Sequence, residues 1–182
     1  MHRLLRAIKN QIRNRQGYSL TELLMVIMIL GLIAASIGGG VTAVRDAYEK
    51  VTLRANAETI LSTTETAMRD ELAYAEKIDS GDNPAFYSGN SHTYIRYINS
   101  GNTDGIKIQY YTGSEEDHIE SGEPVLLLSE KAMGGKLYTV FTDYTYDSSR
   151  KIFTLTGLKA IEKSTGKEIL SIDDLSVSAI NG

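Results

Sequence analysis

Residues 15–37 read Arg15-Gln-Gly-Tyr-Ser-Leu-Thr-Glu-Leu-Leu-Met-Val-Ile-Met-Ile-Leu-Gly-Leu-Ile-Ala-Ala-Ser-Ile37. After Arg15, the only charged side chain in this run is Glu22. From Leu23 to Ile37 every residue is apolar except Gly31 and Ser36. A charge at the centre of a bilayer costs roughly 2.5 kcal/mol or more, so a carboxylate at the mouth of such a run needs a reason. Leu20 to Val44 is long enough, at about 1.5 Å per residue, to cross a hydrocarbon core as a helix.

Outward from this run the charge is lopsided. Five of the 19 basic residues (Arg3, Arg6, Lys9, Arg13 and Arg15) lie in residues 1–17, which hold no acid. The other 14 share the rest of the chain with all 23 acidic residues, leaving that part at −9. A basic end suits the cytoplasmic face of a membrane. An acidic remainder argues against a general polyanion-binding surface, so nucleic acid is not an expected partner. The chain of 182 residues has no cysteine. Disulfides, thiolate metal sites and a cysteine nucleophile are therefore excluded.

Beyond Val44 the character changes. Apolar or small residues recur at Tyr48, Val51 and Ala55, then at Ile60, Leu61, Thr64, Met68, Leu72 and Ala75. Steps of three and four predict one helical stripe. Arg45/Glu49, Asp46/Lys50, Arg54/Glu58 and Glu65/Arg69 are spaced to pair on the wet side. No proline interrupts Met1 to Asn83. One helix is expected from Ser19 to about Lys77, ending before the breaker cluster Asp79-Ser-Gly-Asp-Asn-Pro84. The rest turns to period two. Thr93–Ile98, Ile106–Tyr111, Lys136–Tyr146, Lys151–Glu162 and Leu170–Ile180 predict strands, with Ile106, Ile108 and Tyr110 on one face. The fold class expected is α+β. A long N-terminal helix, hydrophobic in its first half and amphipathic in its second, packs against a small antiparallel β-sheet head.

Three readings of the apolar run stand side by side. It is a plain signal anchor. Or it is a secretory signal cut near Ala34-Ala35-Ser36. Or the chain is cut before the run, after Gly17, and the run survives and packs against copies of itself. Only the third accounts for Glu22. With Gly17, then an aromatic Tyr18, then Glu22 at the fifth position after the cut, residues 13–37 resemble the N-terminal signature of type IV pilins and pseudopilins. Phenylalanine is commoner than tyrosine at the position of Tyr18.

The resemblance implies domains at 1–17 (a cleaved basic leader), 18–44 (a transmembrane and filament-core helix), 45–78 (an amphipathic helix continuing into the head) and 79–182 (a β-rich head), in a lollipop shape. It implies a prepilin peptidase that cuts between Gly17 and Tyr18 and methylates the amine of Tyr18. It implies other pilin subunits as polymer partners, an assembly ATPase and a platform membrane protein, with membrane lipid around the helix before assembly. The head would lie outside the cytoplasm, and the product would be a structural filament subunit rather than an enzyme. A minor or pseudopilin-type subunit is expected before an abundant major one. Rivals are a single-pass anchored binding or sensor domain that never polymerises, and a DNA-uptake pseudopilin.

A buried carboxylate needs a partner or a proton. For Glu22 the partner implied is the amine of Tyr18 on a neighbouring subunit, a pair that would set axial register. Gly38, Gly39 and Gly40 together cost about 2–3 kcal/mol of helix stability relative to alanine. They invite either local melting in a filament or close helix packing.

The head offers little chemistry. His92 and His118 share no ligand spacing, and a solvated loop is the expected form of residues 114–123. Neither a metal nor a cofactor is expected. Arg150–Lys151 and Lys159/Lys163/Lys167 are the sole candidates for a basic patch, and the paired tyrosines Tyr110–Tyr111 and Tyr144/Tyr146 read as sheet packing.

Overall fold

The computed structural model describes residues 19–79, 81–99, 104–112 and 119–181. The chain divides into two units, Met1–Glu49 and Lys50–Gly182. One helix, α1 (Leu20–Ala73), supplies every described helical residue. Within the second unit its buried residues are Ala57, Ile60, Leu61, Thr64, Met68 and Leu72. Their steps of three, one, three, four and four make one face, as the sequence predicts from Ile60 onward.

The earlier part of the expected stripe does not join that face. Tyr48, Val51 and Ala55 are exposed. At about 100° per residue they fall on the opposite side of the helix from Ala57 and Leu61. Three of the four expected ion pairs close: Arg45–Glu49 at 3.1 Å, Arg54–Glu58 at 3.5 Å and Glu65–Arg69 at 2.5 Å. The helix ends at Ala73, short of Lys77, because Ala75–Glu76 is already a strand. Lys77 has φ 46°, a left-handed turn that swings the chain away.

The strands are β1 (Ala75–Glu76), β2 (Gly81–Asp82), β3 (Phe86–Ser88), β4 (Thr93–Asn99), β5 (Ile106–Thr112), β6 (Ile119–Glu120), β7 (Val125–Leu126), β8 (Leu137–Val140), β9 (Asp143–Asp147), β10 (Ile152–Glu162) and β11 (Glu168–Ser178). They form two antiparallel sheets where the sequence suggests one. The first has the order β1-β3-β4-β5-β6, with β7 also on β5. The second has the order β11-β10-β9-β2, with β8 also on β10.

The second sheet turns on Gly157. Residues 152–156 of β10 pair with β9, and residues 159–162 pair with β8. Buried side chains shift phase at the same place, from Phe153 and Leu155 to Leu158 and Ala160. Gly157 has φ +61°, and a Cβ there would collide with the Thr142 hydroxyl. Only glycine lets one strand serve two neighbours at this point.

Both sheets and α1 share one core. Leu61, Met68 and Leu72 from the helix join Phe86, Ile95 and Tyr97 of the first sheet and Tyr144, Phe153 and Leu155 of the second. Rings dominate it, with Phe153 within 4.7–5.8 Å of Tyr146, Phe86 and Tyr144. The Asn99 amide ties the sheets at their margin: Nδ2 donates to the Phe141 carbonyl (2.7 Å) and Oδ1 accepts from the Phe141 amide (3.1 Å). On β5, Ile106, Ile108 and Tyr110 do pack on this core. The other face is covered as well, by a small cluster of Ala85, Tyr94 and Tyr111.

Two polar anchors tie the helix to the strands. The Glu71 carboxylate accepts from Ser88 Oγ (2.6 Å) and Asn90 Nδ2 (3.0 Å), fixing the turn after β3. The Ile180 amide donates to the Ala73 carbonyl (2.8 Å), giving a partner to a group that the helix end would otherwise leave unpaired.

Candidate functional site

The site expected from the sequence is the start of α1. Ser19 sits just outside the helix, and its carbonyl accepts the amides of Glu22 (2.9 Å) and Leu23 (3.1 Å). Ser19 Oγ and Thr21 Oγ1 are hydrogen-bonded at 2.7 Å. Glu22 is the acidic residue of the first turn and is exposed. An anion there faces the positive end of the helix dipole, worth about 0.3–1 kcal/mol at an exposed terminus. Ser19-Leu20-Thr21-Glu22 also has the spacing of a helix-start motif. That signal lies in the sequence and gives Glu22 a local role that the sequence reading above leaves out. Gly17 and Tyr18 lie outside the described residues.

Along the next turns, large apolar side chains stay open in the chain by itself. Leu20 is 81% exposed, Met25 67% and Leu32 70%. The same holds on every side of the helix, as it must for a segment whose solvent is apolar. Polar side chains here turn inward onto the helix. Ser36 Oγ donates to the Leu32 carbonyl (2.8 Å) and Thr42 Oγ1 to the Gly39 carbonyl (2.9 Å). Such bonds satisfy hydroxyls without water. Gly38, Gly39 and Gly40 are helical, and apart from adjacent residues and the helix's own backbone nothing lies within 4 Å of where a Cβ would stand. By length and composition, this helix can cross a membrane.

The head candidates disperse. His92 is an exposed turn residue with φ 53°, its amide donating to the Ser88 carbonyl (2.9 Å). Residues 114–118 of the acidic loop, His118 among them, lie outside the described residues, and Glu120 and Glu123 are exposed. Among the described residues no three His, Asp or Glu side chains converge on a metal position. The candidate basic patches are largely neutralised: Arg150 pairs with Asp147 (3.7 Å), Lys159 with Glu168 (2.9 Å) and Lys163 with Glu130 (3.4 Å). The Lys159 ammonium, with Ser171, holds the Glu168 carboxyl below the usual range. Tyr144 is a core residue and Tyr146 nearly so, so these aromatics are packing. Burial pushes the Tyr97 and Tyr144 phenols well above their ordinary value, and the nearby Glu71 charge adds to this at Tyr97.

Residues 12–38 match the family model described as the prokaryotic N-terminal methylation motif. This is the class III signal peptide motif of type IV pilins and pseudopilins. The chain therefore carries the N-terminal signature of a type IV pilin-like precursor. No curated protein and no solved structure matches it.

Proposed function

We propose that the chain is a structural subunit of a type IV pilus-like or type II secretion-like filament, of the minor or pseudopilin kind. A prepilin peptidase cuts after Gly17 and methylates the amine of Tyr18. The observation that carries this reading is the methylation motif over residues 12–38 on a helix whose apolar side chains are bare on all sides. Burying each of those large side chains is worth about 1.5–3 kcal/mol, so the segment demands lipid or other helices around it.

Glu22 then has two states. In the membrane it stands near the headgroups, in the first turn of its own helix, facing the positive end of the helix dipole. In a bundle of helices it is buried, and the new amine of Tyr18 on a neighbour neutralises it. The proposed work of an assembly ATPase and a platform protein is to move subunits between these states. Gly38–Gly40 form the weakest part of the helix and are the proposed point of melting on assembly; in the free chain α1 runs unbroken through them.

The mass of the chain, purified from cells that make a prepilin peptidase, tests the first step. Loss of residues 1–17 with one added methyl is expected; an intact Met1 would mean a plain anchor. The second step is read in sheared filaments. Glu22→Val should be processed normally yet drop out of them, and undiminished incorporation ends the register argument.

A further inference from the structure

We infer that the free edge of β11 is a docking strand for an extended, basic segment of a different polypeptide. This does not depend on the filament reading. Among the described residues, the other outer strands are short: β1, β2, β6 and β7 each span two residues, and β8, which pairs with β10 alone, spans four. Such short edges offer a visitor little ladder. β11 runs from Glu168 to Ser178 and pairs with β10 alone.

The backbone at its C-terminal end shows which groups are open. The Ala179 amide donates inward to the Lys151 carbonyl (2.9 Å), and the next amide, Ile180, donates outward to Ala73 (2.8 Å). Alternation back along the strand turns the backbone groups of Ser178, Ser176 and Asp174 away from β10. Their side chains are exposed and small, with Leu175 and Val177 buried between them.

Charge selects the occupant. Asp173 and Asp174 are adjacent and exposed, and neither has an ion-pair or hydrogen-bond partner among the described residues. In this region Glu168 is already matched, by Lys159. A second copy pairing along the full strand would bring aspartates against aspartates, which is unfavourable. A strand with Lys or Arg at those positions gains instead, so one charge pair both repels the sister chain and admits the basic guest. Main-chain bonds give such a complex its affinity and side-chain pockets its choice of partner.

The test uses the full chain in detergent micelles and a short synthetic threonine-rich peptide with two adjacent lysines at its centre, one for each face of the strand. Two controls are the same peptide with glutamate for lysine, and an equally basic one with proline for alternate threonines. Backbone hydrogen exchange is followed residue by residue. The lysine peptide is expected to slow exchange at Asp174, Ser176 and Ser178, and neither control should. Asp173→Asn and Asp174→Asn should each weaken binding roughly two- to fivefold. The double change Asp173→Lys, Asp174→Lys should invert the preference toward the glutamate peptide. Four outcomes overturn the inference: no protection by the lysine peptide, equal protection by the proline control, a preference that the lysine variant leaves unchanged, or protection that rises with protein concentration alone.

Discussion

At the residue scale, Gly157 carries the largest single constraint on the head. Its positive φ disfavours any side chain, and a Cβ would strike Thr142. Gly157→Ala should cost about 2–4 kcal/mol, combining backbone strain with overpacking. The midpoint of chemical denaturation measures it. Pairing it with Thr142→Ala should recover part of the loss, because the collision is with that side chain and the strain is not. Glu71 is the other residue whose loss should tell. Glu71→Ala leaves Ser88 Oγ, on a fully buried residue, without its acceptor. A loss of about 1–3 kcal/mol is expected on the same measurement, since the bond is to a charged group. Glu22 differs in kind: it is exposed in the free chain, so its replacement should leave head stability unchanged.

At the element scale, α1 is two helices in chemical terms. The sequence shows this directly: an apolar run on every face, then a stripe. It also shows most strands, since Thr93–Ile98, Ile106–Tyr111 and Lys151–Glu162 alternate or are β-branched. What it does not reveal is which face of Tyr48–Ala55 turns inward. Steps of three and four link Tyr48, Val51 and Ala55 as neatly as they link Ile60 to Leu72. That the two sets lie on opposite sides follows from about 100° per residue, but only the positions of the sheets decide which of them is covered. Nor is the split into two sheets legible, because it rests on which strands pair across the chain, nor the sharing of β10 between β9 and β8, which depends on a backbone angle at one glycine.

A contrast checks the assignment of faces. Met68→Ala should lower head stability by about 2–5 kcal/mol, as a cavity in a packed core does. Tyr48→Ala should change it by less than about 0.5 kcal/mol, as an exposed substitution does. If Tyr48 matters, it should matter in assembly, read as the yield of filaments.

At the scale of the whole molecule, the N-terminal methylation motif was legible because its pattern is local: glycine, aromatic and carboxylate at fixed spacing beside an apolar run. The head was not legible in function, because its ionisable groups are scattered or matched with one another. Its pH response follows from the buried phenols. Tyr97 and Tyr144 have raised pKa values, so the unfolded chain releases their protons first. The stability they contribute is complete below the ordinary tyrosine value of 10.0 and is lost as pH climbs past it. The opposite limit involves Glu168, whose lowered pKa contributes stability at neutral pH that fades as acid protonates it. Thermal melts across alkaline pH should show a falling Tm, and Tyr97→Phe should flatten that fall. An unchanged slope would place the alkaline loss elsewhere.

The bond from Ile180 to Ala73, with Asn181 Nδ2 reaching Glu76 at 3.5 Å, has a practical corollary for labelling. A fluorescent protein fused directly after Gly182 would crowd the clasp that finishes the helix, and would tug on it with every tumble of the cargo. The tip of the β10–β11 hairpin, Ser164 to Lys167, is exposed and holds no such fastening to α1. An epitope inserted there should report on the chain while leaving its closure undisturbed.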